Sequence, residues 1–203
     1  VPASGAVLGV ASDPDGNFFL VGFVVGRLTS ESGASSDSDF FVIKLDGATG
    51  GVLWRLQDGT PSDDDVLWAA AADSRGNLIA AGNTLGDYGS TGAGGYDYLA
   101  VKFSPDGEEL WRYQTGTEQD ETFRAVTVDG DDNVYLGGGL LNLAPGGSNA
   151  RQQPVVHKVD GASGARLWTY IGGTSADTTF RGVAIDERTG LVVCAGLTDG
   201  VWA

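Results

Sequence analysis

Trp54, Trp111 and Trp168 stand 57 residues apart, and each closes a version of one phrase: LDGATGGVLWRLQDGT, FSPDGEELWRYQTGT and VDGASGARLWTYIGGT. A repeat of this length constrains the fold before any single residue does. Each copy must be one supersecondary unit that buries its apolar faces against the next. Three further landmarks keep the same order. Lys44, Lys102 and Lys158 end DFFVIK, DYLAVK and QPVVHK; Asn17, Asn77 and Asn133 sit in DGNFFLVG, RGNLIAAG and DDNVYLGG; Trp68, Phe123 and Phe180 each open an apolar run.

Every unit reads as four strands. In the second, WAAAAD (68–73), LIAAGN (78–83), YLAVKF (98–103) and ELWRYQ (109–114) are apolar runs of about six residues, parted by SRGN, a polar loop and SPDG. Such runs bounded by Gly, Asp, Asn and Pro are strands joined by tight turns. No 3.6-residue period is sustained, and a β-solenoid would need shorter, stricter repeats. Four-stranded sheets with two apolar faces stack radially, so the expected fold is an all-β propeller with antiparallel blades of about 57 residues. Residues 6–61, 66–117 and 122–174 supply three blades and 179–196 half of a fourth. Three and a half blades do not close a ring. With no Met in the sequence, the expectation is a longer chain, or association with other copies.

The net charge of −15 disfavours nucleic acid and anionic lipid as partners, and no apolar run approaches a membrane span. Cations or a basic protein suit such a surface better. One Cys, Cys194, forms no internal disulfide; in LVVCAG it reads as a buried core residue.

TFRAVTVDGDDNVYLGG, GGYDYLAVKFSPDGEELW and SDSDFFVIKLDGATGGVLW resemble the SBBP β-propeller repeat family over nearly the whole chain. The resemblance implies a secreted or cell-surface, multi-blade context, mostly without catalytic activity. The third unit departs from the pattern: Gln153 stands where Asp39 and Asp97 stand, and His157 where Ile43 and Val101 stand. Thr49-Gly50-x-x-x-Trp54 and Ser163-Gly164-x-x-x-Trp168 also resemble the tryptophan docking motif of quinoprotein propellers. That similarity implies a packing Trp. A lone Cys cannot supply the vicinal pair those dehydrogenases often carry near the quinone.

The residues offer little catalytic chemistry. His157, the single His, lies mid-strand at an apolar position and reads as a packed side chain rather than part of a Ser-His-Asp set. Asp63, Asp64 and Asp65 cluster as glycosidase acids do, but Asp65, Asp120 and Asp177 recur three residues before each aromatic landmark, which suggests a turn-bonding role in every blade. Asp13-x-Asp15-x-Asn17 and Asp129-x-Asp131-x-Asn133 alternate oxygen side chains. They serve either as turns bonding their own backbone or as Ca2+ ligands, with Asp132 as a further oxygen. The loops at 24–38, 84–96 and 140–152 vary while the strands agree, and should emerge on one rim, where binding usually resides. In the second, Asp87, Tyr88 and Tyr96 form a candidate sugar- or peptide-contacting set. The expected function is a non-catalytic interaction or structural module, extracellular or on the cell surface, binding protein or polysaccharide. The alternatives are a polysaccharide-acting propeller enzyme and an intracellular scaffold.

Overall fold

The computed structural model describes residues 4–28, 37–61, 63–88, 94–143, 150–172 and 177–199. The first blade is β1 (Ser4–Ser12), β2 (Phe18–Val25), β3 (Ser38–Leu45) and β4 (Val52–Asp58); the second is β5 (Asp65–Ala72), β6 (Leu78–Thr84), β7 (Asp97–Phe103) and β8 (Glu109–Thr115). The third is β9 (Glu121–Val128), β10 (Val134–Leu143), β11 (Ala150–Val159) and β12 (Arg166–Ile171), and β13 (Thr178–Asp186) pairs with β14 (Leu191–Thr198). Each sheet is an antiparallel meander in chain order, so the chain is an all-β propeller of about three and a half blades. The first strands β1, β5, β9 and β13 pack on one another in succession and form the inner wall.

Alternation along the strands sends one set of side chains into each seam between blades. Phe19, Val21, Phe40 and Val42 of the first blade meet Leu67, Leu78, Ala80, Leu99, Val101 and Phe103 of the second. Ile79, Ala81, Tyr98 and Ala100 then meet Phe123, Val134, Leu136 and Val155 of the third. Every inner strand carries a β-bulge, whose extra residue is Leu8, Trp68, Arg124 or Arg181. The bulge corrects one sequence assignment. Leu67, not Trp68, is the counterpart of Phe123 and Phe180, and all three are buried.

The Lys and Trp landmarks work together. Lys44 Nζ pairs with Asp13 at 3.0 Å and donates to Pro105 O of the next blade at 3.1 Å. Trp54 Nε1 donates to the same carbonyl at 2.8 Å. One blade on, Lys102 pairs with Asp73 at 2.7 Å, and Lys102 Nζ and Trp111 Nε1 both donate to Gly161 O, at 2.7 and 3.0 Å. The indoles lie against Gly107 and Gly164, whose φ values of +89° and +73° favour glycine and where a Cβ would crowd the ring at 3.0–3.1 Å. Burial alone would raise the Asp73 carboxyl; the hydrogen bonds from Lys102 and Asn77 outweigh it and hold the pKa below the usual range. At the third blade Lys158 pairs with Asp129 at 3.4 Å. There the indole of Trp168 has no hydrogen-bond acceptor among the described residues and is 40% exposed.

This difference gives an internal control. Trp54→Phe and Trp111→Phe should each cost about 1–2 kcal/mol by urea unfolding, whereas Trp168→Phe should change stability by less than about 0.5 kcal/mol. Lys102→Met, which leaves Asp73 buried without its cation, should cost about 3–5 kcal/mol.

Candidate functional site

The β2–β3 loops and the connections between blades share one rim. The central residues of the three loops, 29–36, 89–93 and 144–149, lie outside the described residues, but the loop bases are built by a repeated polar network. Gln57 Nε2 donates to Gly26 O and to Asp39 Oδ2, while its Oε1 accepts from Leu28 N. Gln114 does the same with Gly86 O, Asp97 Oδ2 and Tyr88 N. Asp64, Asp120 and Asp177 each accept from the backbone N–H at the start of the preceding blade's third strand, on Ser38, Tyr96 and Gln152, at 2.9–3.0 Å. The expected turn-bonding acid therefore exists at all three connections between blades. Its first member is Asp64 rather than Asp65, the same one-residue slip as at Trp68.

Asp65 is instead the counterpart of Glu121 and Thr178. It is fully buried, and its Oδ2 accepts from Thr60 N and Thr60 Oγ1 at 2.6 and 2.9 Å. Glu121 is held in the same way by Thr117 N and Oγ1. Each acid faces a second one across the seam. The point where a Cβ of Gly59 would sit touches Asp39 Oδ1 and lies 3.1 Å from Asp65 Oδ2; at Gly116 the same point touches Asp97 Oδ1 and lies 2.8 Å from Glu121 Oε2. Burial first, and the Asp39 charge after it, raise the Asp65 pKa to about 6 despite the threonine hydrogen bonds. Glu121 is raised for the same reasons, with Asp97 and Asp120 as its neighbours. At the seam after the third blade Gln153, Ile171 and Thr178 replace the acid, the glutamine and the second acid together.

The loop residues singled out by sequence do not converge. Tyr88 turns back into the seam, under the Arg112 guanidinium at 3.8 Å and beside Phe40. Its hydroxyl is buried, and burial raises its pKa. Asp87 lines a shallow cleft of about 450 Å³ with Thr60, Asp63 and Gly94. Tyr96 lines a different cleft of about 280 Å³ between the second and third blades, with Trp68, Asn83, Asp120, Arg124 and Gln152. Sequence reading missed Asn83 and Arg124. Only the bulge register, which places Trp68 and Arg124 at equivalent positions, would have found them.

The DxDxN turns are occupied by their own side chains. Asp13 accepts from Asn17 N and Nδ2 and pairs with Lys44. Asp129 accepts from Asn133 N and Nδ2, Tyr135 Oη and Lys158. Asp132, at φ 63°, takes Ser74 N and Oγ of the neighbouring blade. Asp131 and Asp15 join neither carboxylate, and among the described residues no three acidic, His or Cys side chains gather as metal ligands. Carboxylates facing N–H donors and an ammonium do not fit a Ca2+ cage. His157 is packed as expected. It is 3% exposed, has one hydrogen bond among the described residues, with Tyr113 Oη at 2.8 Å, and burial lowers its pKa to about 4. Cys194 departs from expectation: it is half-buried and lines an apolar cavity of about 490 Å³ with Val156, Trp168, Tyr170, Phe180 and Val192.

No family model matches the chain. A quinoprotein ethanol dehydrogenase of Pseudomonas putida is 29% identical over 131 residues, 62% of this chain and 17% of that protein. Quinoprotein alcohol dehydrogenase PedE of the same species is 28% identical over the same lengths. The chain thus spans less than a fifth of these curated relatives. Among solved structures, a Bacteroides caccae protein of unknown function superposes with a TM-score of 0.51 at 12% identity, over 95% of this chain and 53% of that one. A quinohemoprotein alcohol dehydrogenase from Comamonas testosteroni gives 0.49 at 14% identity, over 95% and 40%. The likeness is one of fold. In the cleft between the second and third blades, the Trp68 ring is covered by the Arg124 guanidinium at 3.7 Å.

The raised Asp65 pKa has a defined sign. Between about pH 4 and 6 the folded chain keeps a proton that the unfolded chain has lost, so stability falls as pH rises through that window and levels off above it, by about 3 kcal/mol in all. Asp65→Asn should flatten this part of the urea-midpoint against pH curve, and Arg188→Gln, at an exposed turn, should leave it unchanged.

Proposed function

We propose that this chain is a non-catalytic interaction or structural propeller module of an extracellular or surface assembly, which binds protein or glycan partners through its rim. The observation that carries the reading is the pair of Gln–Asp clamps, Gln57–Asp39 and Gln114–Asp97, that fix the bases of variable loops. A rigid base lowers the ordering cost of binding at the loops it carries. The cleft lined by Tyr96, Asn83 and Arg124 opens on the same rim. The resemblance to SBBP repeats and the net charge of −15 support a solvent-facing, multi-blade setting. His157 is sealed in the core, so acid–base chemistry at neutral pH would need groups other than imidazole.

Immobilised protein should retain a polysaccharide or a protein from surface extract in a saturable way, without changing it. Retention by neither class sinks the reading. Shortening of an applied polysaccharide would replace it with the enzymatic alternative. Cell fractionation that places the protein inside the cell would replace it with the scaffold.

A further inference from the structure

Two arginines are out of place in this acidic chain. Arg124 and Arg181 occupy the bulge positions of neighbouring inner strands, β9 and β13. Neither forms an ion pair among the described residues, although the chain carries 27 acids. Arg124 is half-buried and stacks on the Trp68 ring at 3.7 Å. Stacking uses the face of the guanidinium and leaves its N–H edge free. Burial and the like charge of Arg181 both work against the charged form of Arg124. A cation held in this way, with no ion pair among the described residues, is poised for an external anion.

A third donor points into the same cleft. Asn83 is only 6% exposed. Its Oδ1 accepts from Trp68 Nε1 at 2.7 Å and Thr122 Oγ1 at 3.0 Å, which fixes the amide's orientation. Its Nδ2 makes no hydrogen bond among the described residues, and Asn83 lines the cleft. The donor therefore faces the cleft rather than a partner within the protein, ready-oriented for an acceptor that enters it.

We propose that the cleft between the second and third blades binds a uronic acid residue, with its carboxylate on the Arg124 guanidinium edge and a hydroxyl or ring oxygen on Asn83 Nδ2. The size fits: about 280 Å³ is below the usual range of drug-sized sites and suits a single sugar. Asp120 and Glu121 line the same cleft, so a singly charged carboxylate meets less repulsion there than a phosphate dianion, and sugar hydroxyls can donate to Asp120. The proposal rests on the reading of this rim as a glycan-binding face and names the glycan's acidic class.

Calorimetric titration of the full chain with oligogalacturonate, a neutral oligosaccharide of equal length and inorganic phosphate tests it. Oligogalacturonate should bind best. Arg124→Gln should weaken it about tenfold or more, Arg124→Lys should restore part of the loss, and Arg188→Gln, an equal change in net charge, should leave it intact. Asn83→Asp, which keeps the acceptor for Trp68 but removes the donor, should also weaken it, with the circular dichroism spectrum unchanged. Three results overturn the inference: tighter binding of phosphate, equal binding of the neutral sugar, or acidic-sugar binding indifferent to Arg124→Gln. If neutral sugars bind, or a protein partner is retained, the rim reading survives that failure. If no sugar binds and no partner is retained, both fall.

Discussion

At each of the first two seams one buried ammonium organises the blades. Lys44 and Lys102 each answer a carboxylate of their own blade and a backbone carbonyl of the next. Moving either blade would strand a charge as well as a hydrogen bond, so the seam has one register. Hydrophobic contact alone would allow the sheets to slide, because Val, Leu and Ala offer no direction. The ion pair and the shared carbonyl supply it, and the Trp indole closes the arrangement from the outer strand.

Much of this was legible in the sequence. The Trp and Lys landmarks mark the two donors to one carbonyl, and the Asn landmark marks the residue that braces the paired carboxylate. The acceptors were hidden, since a backbone carbonyl has no letter: Pro105 and Gly161 match in role but not in type. The bulge was hidden too. An extra residue in each inner strand shifts side-chain direction by one, so aligning Trp68 with Phe123 by aromaticity set the first strands out of step. The same slip attached the recurring turn acid to Asp65 when it belongs to Asp64. The inward turn of Tyr88 has no sequence signal, because loop position says nothing about which way a ring folds back.

The two carboxylate pairs on the rim explain why the third blade differs. Gln153, Ile171 and Thr178 are three departures from pattern at one seam, and in space they are one change. A blade without the second acid has no use for the first, or for the glutamine that braces it. The departures mark a seam built without buried charge, beside two seams that keep it. The loop clamped by Gln114 and the cleft holding Arg124 adjoin a seam of the charged kind, so a fixed polar scaffold stands beside a cation that has no ion pair among the described residues.

The half-buried thiol of Cys194 has a practical side. With one Cys and no Met, it is the single sulfur atom in the chain, and it lies in the apolar groove beneath Trp168. Burial raises its pKa, so labelling should be slow near neutral pH and faster in mild alkali. A fluorophore or spin label attached there sits on β14 with no competing thiol, and it would report directly on the packing of Trp168, Tyr170 and Phe180 around it.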